Sequence, residues 1–205
     1  MEDGLRTIKL NHHPRQPPRV FLLPAAFNAS DPFSAISLGI FIRIETGADR
    51  AAIREINEAA FGNELEANLV DQLRAQGHAK LSLVAEVDGV LVGHILFSTM
   101  NIKTESEAVT ALALAPLSVR PEWQRQGIGT QLVKEGLRQC RKDGHRIVLV
   151  VGHPAYYPRF GFSRSLAEQI SSPYSGEAFM ALELESDALS GVCGTAHYPK
   201  PFAEL

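Results

Sequence analysis

The stretch Gln124-Arg-Gln-Gly127-Ile-Gly129 sets two glycines one residue apart, directly ahead of a run with helical periodicity. Glycine is a poor helix former, so the pair asks for a reason. The first turn of a helix carries N–H groups without intrahelical acceptors, together with the positive end of the helix dipole. A glycine there puts no Cβ between the main chain and an arriving phosphate, so the turn reads as an anion cradle. A glycine-bearing turn with no ligand is the plain alternative. A P-loop does not fit, because Thr130-Gln131 follows Gly129 where Lys-Ser/Thr is needed. A dinucleotide fingerprint does not fit either, because Leu132 stands where a third small residue is needed.

Other residues could act nearby. Pro116 interrupts the strand-like "ALALAPLSV". Proline cannot donate to a ladder, so that strand is expected to be bulged or at an edge, freeing N–H groups around Leu117, Ser118 and Val119. Tyr157, in "PAYYPRFGF", is a candidate proton donor, while its neighbour Tyr156 reads mainly as packing. His94 is the one ionisable residue of "VLVGHILFS" and is a candidate base, with a hydrogen-bonded core histidine as the alternative. Cys140 falls on an inward helical stripe, where a thiol is inert, and it shares no metal-type spacing with Cys193. His12 and His13 read as incidental, and no metal site is expected.

These groups need a scaffold, and the patterning supplies one. "FIRIET" alternates like a strand, and Asp49 can cap a helix bearing Ile53, Ile56 and Ala60. Asn63 and Glu66 resemble a capping box ahead of Leu65, Leu69 and Leu73. Two β-rich runs flank Asp88-Gly89, a hairpin signal. A strand over 110–119, a helix over 128–142 and a strand over 146–151 form a βαβ unit with parallel strands. The glycine turn then lies where a strand ends and a helix begins, and Tyr157 falls near the same end of the sheet. The chain's last portion, "FMALELES…CGTAHYP", suggests a final hairpin.

The bulk properties restrict the reading further. The 205 residues suit one domain plus an appendage, and residues 1–40, proline-rich and aperiodic, read as a poorly ordered extension ahead of a domain over 41–205. The two cysteines suit a reducing cytosol, so a cytoplasmic location is expected. No apolar run suggests a membrane span. The net charge of −3 gives no general case for nucleic acid. Residues 120–146 nevertheless carry +4, either a solvated helix face or a field for a polyanionic ligand.

At this point the sequence resembles the GCN5-related N-acetyltransferase family. Gln124-Arg-Gln-Gly127-Ile-Gly129 matches the family's acyl-CoA signature, and Tyr157-Pro-Arg-Phe-Gly161-Phe162 matches its Tyr-x-x-x-Gly-Phe element. "GHPAYYPRFGF" and "GTAHYP" look most like its bacterial YhbS-like branch. The resemblance implies an α/β fold whose central mixed sheet, flanked by helices, is splayed between the fourth and fifth strands. It implies acetyl-CoA as co-substrate and a primary amine as acceptor, attacking directly through a tetrahedral intermediate. By carry-over, Gln124, Arg125, Gln126, Gly127, Ile128, Gly129 and Thr130 would bind the pyrophosphate. Leu117, Ser118 and Val119 on the bulged strand would hold the pantetheine and polarise the thioester. Tyr157 would face the sulfur as acid, and His94 is the candidate base. Many members carry an asparagine seven residues before the tyrosine, where this chain has Val150. A non-catalytic acyl-CoA sensor is the alternative function. Acceptor pockets in such proteins draw on regions corresponding to 57–80 and 164–178, and a homodimer is compatible with the sequence.

Overall fold

The computed structural model describes residues 39–205, so the expectation of a poorly ordered extension lies almost wholly outside the described residues. The frame is an eight-stranded mixed sheet. Strand β1 (Ile40–Ile44) pairs antiparallel with β2 (Ala79–Val87), and β2 with β3 (Val90–Lys103). The turn between them is Asp88-Gly89, with φ of 50° and 79°, the double positive φ that a tight two-residue hairpin uses. Beyond β3 come β4 (Ala108–Val119), then β5 (Ile147–Val151) parallel to it, then β7 (Phe179–Glu183) antiparallel to β5. The short β6 (Ile170–Ser171) pairs with β8 (Gly194–His197).

Three helices cover the sheet. Helix α3 (Ile128–Lys142) makes the crossover from β4 to β5. It buries Ile128, Leu132, Val133, Leu137 and Cys140 against Phe97, Leu112, Leu114 and Val150. The Cys140 thiol is pushed up to about 12, first by burial and then by the Asp143 charge. Helices α1 (Arg50–Phe61) and α2 (Leu65–Ala75) pack with the C-terminal segments on the other face, where Leu69, Leu73, Leu149, Phe179 and Phe202 share a cluster.

Three local expectations are corrected. Asp49 stands at the α1 N-cap, but its carboxylate accepts from the Thr46 N–H at 2.6 Å and from Arg43 at 2.7 and 2.9 Å instead of from α1. That pairing holds its carboxyl well below the usual range. The Asn63 Oδ1 accepts from the Leu65 N–H at 2.7 Å, a local turn rather than a capping box. The final strands do not form a hairpin: β7 joins β5, whereas β8 joins β3 at Asn101–Lys103. The reason is length. The paired part of β2 reaches only Ser98 of β3, and the overhang beyond it needs another partner for its main chain.

The bulge expected at Pro116 is present, on a central strand. Ile95 pairs with Leu117 but Phe97 with Leu114, so β4 carries one extra residue between those pairs. The β4–β5 ladder covers Leu112, Ala113 and Leu114 only, paired with Val148, Leu149 and Val150. Past that point the two strands part, and the split that positions the site opens there.

Candidate active site

Main-chain donors line one side of the opening. The Arg120 N–H bonds the Val92 carbonyl on β3 at 2.8 Å. Antiparallel pairing alternates, so Ser118 also turns its main chain toward β3, while the N–H groups of Leu117 and Val119 point away from it, into the split. Ser118 is therefore corrected as a cofactor contact: it is fully buried, and its Oγ donates to the His94 carbonyl at 3.4 Å.

The loop after β4 gathers more donors. The Gln124 N–H is used locally, on the Pro121 carbonyl at 3.3 Å, and its side-chain amide donates to the Val119 carbonyl at 3.1 Å. Gln124 thus ties the loop to the strand end. From Arg125 to Thr130 the N–H groups find no acceptor among the described residues, and the first intrahelical bond runs from Gln131 to the Gly127 carbonyl. Arg125 and Gly127 both take positive φ, 63° and 85°, folding the loop into a concave nest of N–H groups. A Cβ on Gly127 would meet nothing within 4 Å, so the space over the nest is open. A Cβ on Gly129 would instead meet the Tyr156 hydroxyl at 3.0 Å, with Val119 and Leu117 side chains at 3.8 and 3.9 Å. Its glycine answers to a protein contact, a reason that sequence reading misses. The positive segment is weaker than its count suggests: Arg120, Arg138 and Arg146 pair with Glu55, Glu135 and Glu185, leaving Arg125, Lys134, Arg141 and Lys142 outside any ion pair among the described residues.

The cleft itself is narrow and open to solvent, between Leu114–Leu117 on one side and Val151, His153, Tyr156 and Tyr157 on the other, with Phe61 of α1 also lining it. Tyr157 is buried, with Tyr156 and Phe162 edge-on at 5.1 and 5.6 Å. A side chain at Gly152 would collide with its ring, so the tight "VGHP" turn is what admits it. Burial, then the neighbouring Tyr156, raise the Tyr157 hydroxyl far above the ordinary phenol value, so it stays protonated. Val150, in the place of the family asparagine, is spent in the β5 ladder opposite Met180. His153 accepts the Ala155 N–H on Nδ1 at 3.2 Å, so when neutral it carries its proton on Nε2. A second shallow hollow shares Leu114, Ala115 and Val151 with the cleft and is walled by Tyr174, Tyr198 and Phe202.

His94 is not brought to this cleft. It is fully enclosed, and burial, with the Arg74 charge, pushes its imidazole down to about 3. Both ring nitrogens are engaged: Asn57 Nδ2 lies 3.3 Å from Nδ1, and Ser82 Oγ 2.9 Å from Nε2. Ser82 in turn donates to Glu45, which Arg74 grips at 2.5 and 2.8 Å. Among the described residues, no cluster of His, Cys, Asp and Glu could hold a metal ion, and no helix is long and apolar enough to cross a membrane.

A mixed sheet split beside a βαβ crossover, with a nest of free N–H groups at the crossover helix, is the architecture of acyl-CoA-type N-acyltransferases. Residues 42–165 match the acetyltransferase (GNAT) domain. The chain is 34% identical over 166 residues to the uncharacterised N-acetyltransferase YhbS of Escherichia coli (strain K12), covering 80% of this chain and 98% of that protein. The crystal structure of Escherichia coli YhbS in complex with CoA superposes with a TM-score of 0.76 at 34% identity, over 86% of this chain and 96% of that one. A GNAT acetyltransferase from Brucella melitensis in complex with acetyl-CoA gives 0.68 at 36% identity, over 80% and 99%. The chain belongs to the GNAT family of acetyltransferases.

Proposed function

We propose that this protein transfers an acetyl group from acetyl-CoA to a primary amine by direct attack. The observation that carries the reading is the unbroken run of acceptor-free N–H groups from Arg125 to Thr130 beside the split. The open space at Gly127 suits a diphosphate, and the parting of β4 from β5 beyond Leu114 suits a pantetheine arm. The relatives seen with CoA and with acetyl-CoA support the same cofactor.

On this reading each group has a task. The nest over Gly127 and the first turn of α3 hold the diphosphate through main-chain donors. The N–H groups of Leu117 and Val119 lie along the pantetheine, and one of them stabilises the oxyanion that develops as the amine adds to the thioester carbonyl. Tyr157, protonated throughout the physiological range, donates to the departing sulfur. An ordinary thiol has a pKa of about 8.5, below a phenol's, and burial opposes a tyrosinate, so Tyr157 stabilises the leaving thiolate by hydrogen bonding to it rather than by giving up its proton. The amine enters from the side of Phe61 and the Tyr174–Tyr198–Phe202 hollow.

This reading parts from the expectation that His94 takes the amine proton. An imidazole at about 3, with both nitrogens engaged, is too weak and too enclosed to serve. His153, its Nδ1 already accepting, offers the cleft a donor. The ammonium proton therefore leaves through water. A second reading, a non-catalytic acyl-CoA sensor, draws on the lack of any carboxylate among the described residues that line the cleft. Thiol release from acetyl-CoA over a panel of amines separates the two. Amine-dependent turnover that falls in Tyr157→Phe supports the enzyme, whereas tight CoA binding with no turnover on any amine supports the sensor.

A further inference from the structure

We propose that Tyr156 is a cofactor-positioning residue, and that Gly129 is glycine to receive its hydroxyl rather than to admit a phosphate. This rests on the CoA site proposed above and assigns a role to a residue outside both family motifs.

The geometry is specific. The Tyr156 ring lines the cleft next to Tyr157, while its hydroxyl reaches the first turn of α3 and fills the place of a Gly129 side chain at 3.0 Å. The Thr130 side chain lies beside that hydroxyl. The ring is fixed from three sides: edge-on to Tyr157 at 5.1 Å, edge-on to Phe160 at 5.3 Å, and under the Arg159 guanidinium at 4.6 Å. An aromatic ring clamped in this way has little freedom to lose, so its hydroxyl acts as a fixed stop.

The consequence is mechanical. The donors of the α3 turn are useful only if they converge on one point, and the nest has two positive-φ residues, Arg125 and Gly127, about which it can rearrange. Tyr156 braces the turn at Gly129 and Thr130 against the wall that carries Tyr157, linking the diphosphate cradle to the reacting end of the cleft. Gly127 and Gly129 therefore serve different ends: one shapes the nest and leaves its face open, while the other accommodates the brace.

The test is a double-mutant cycle in the full chain, with CoA affinity by calorimetry and kcat and KM for acetyl-CoA. Gly129→Ala puts a methyl against the hydroxyl and is expected to weaken CoA about tenfold. Tyr156→Phe removes the stop and is expected to raise KM about threefold, with kcat within a factor of about two. In the double variant the added methyl has room, so CoA should bind about as well as to Tyr156→Phe alone. Two independent losses that multiply, or a Gly129→Ala protein with wild-type affinity, would overturn the inference. So would Tyr156→Phe lowering kcat and leaving KM alone. Should Gly129→Ala unfold, shown by its thermal midpoint, the KM-against-kcat split in Tyr156→Phe decides. Failure of the wild type to bind CoA removes the functional reading and this inference with it, whereas CoA binding with multiplying losses removes this inference alone.

Discussion

The first turn of α3 and the cluster around His94 are both marked out by polar groups, and the fold treats them in opposite ways. At α3 the N–H groups from Arg125 to Thr130 are left without acceptors among the described residues, and the space at Gly127 is open. Around His94 the donors and acceptors chain together from Asn57 through the imidazole and Ser82 to Glu45 and Arg74, sealed between α1, α2 and the sheet. Buried polar groups are costly unless paired, and in the second cluster only the Asn57 Oδ1 is left without a partner among the described residues, so its capacity is nearly spent. Free donors at an accessible helix end are stable in water and ready to exchange it for an anion. The contrast teaches that a reactive residue type marks a site only when its bonding capacity remains unspent.

Breaking the open cluster should produce the largest effect. Gly127→Glu places a carboxylate inside the nest at a φ of 85° and should weaken CoA binding by more than about 100-fold, with the fold intact by circular dichroism. Next is Tyr157→Phe, which removes the donor to the sulfur and should lower kcat about 100-fold, with KM for acetyl-CoA changed less than about twofold. A drop in KM matching the drop in kcat would point to ground-state packing instead.

Breaking the closed cluster should affect stability and spare binding. His94→Ala takes one partner each from Asn57 and Ser82, opens a cavity, and should cost about 2–4 kcal/mol in urea unfolding. The folded variant should hold CoA within about twofold of wild type. The gentlest probe is pH. The His94 value is lowered on folding, so below its unfolded value of about 6.5 the unfolded chain binds a proton that the folded chain refuses. Its contribution is present in full above that pH and is lost as pH falls from there toward about 3. The decline is at most about 1.4 kcal/mol per pH unit. Asp49, depressed by Arg43, adds its own loss only below the ordinary carboxylate range. Urea midpoints at pH 7 and pH 5 should therefore converge in His94→Gln and differ in the wild type.

Much of the frame was legible because it is local. The Asp88-Gly89 turn, the Pro116 bulge and the α3 stripe from Ile128 to Cys140 each follow from residues adjacent in sequence or at helical spacing. What was hidden depends on partners distant in the chain. Nothing in "GTAHYP" says that β8 completes the overhang of β3, and the hairpin expectation failed for that reason. The site divides the same way. The nest over Gly127 is a property of the loop's own backbone, whereas the task of Gly129 depends on Tyr156 arriving from beyond β5. The inertness of His94 follows from Asn57 and Ser82, far from it in the chain. Alternation alone should have warned against Ser118, since the residue between two outward-facing N–H groups must turn inward.

The central claim is that main-chain donors from Arg125 to Thr130 grip the diphosphate of CoA. Calorimetric titration of the wild-type protein with CoA and with pantetheine, which lacks the diphosphate and nucleoside, tests it most directly. The account predicts micromolar affinity for CoA and at least about 100-fold weaker binding of pantetheine. No heat with CoA, or equal affinity for the two, would contradict it.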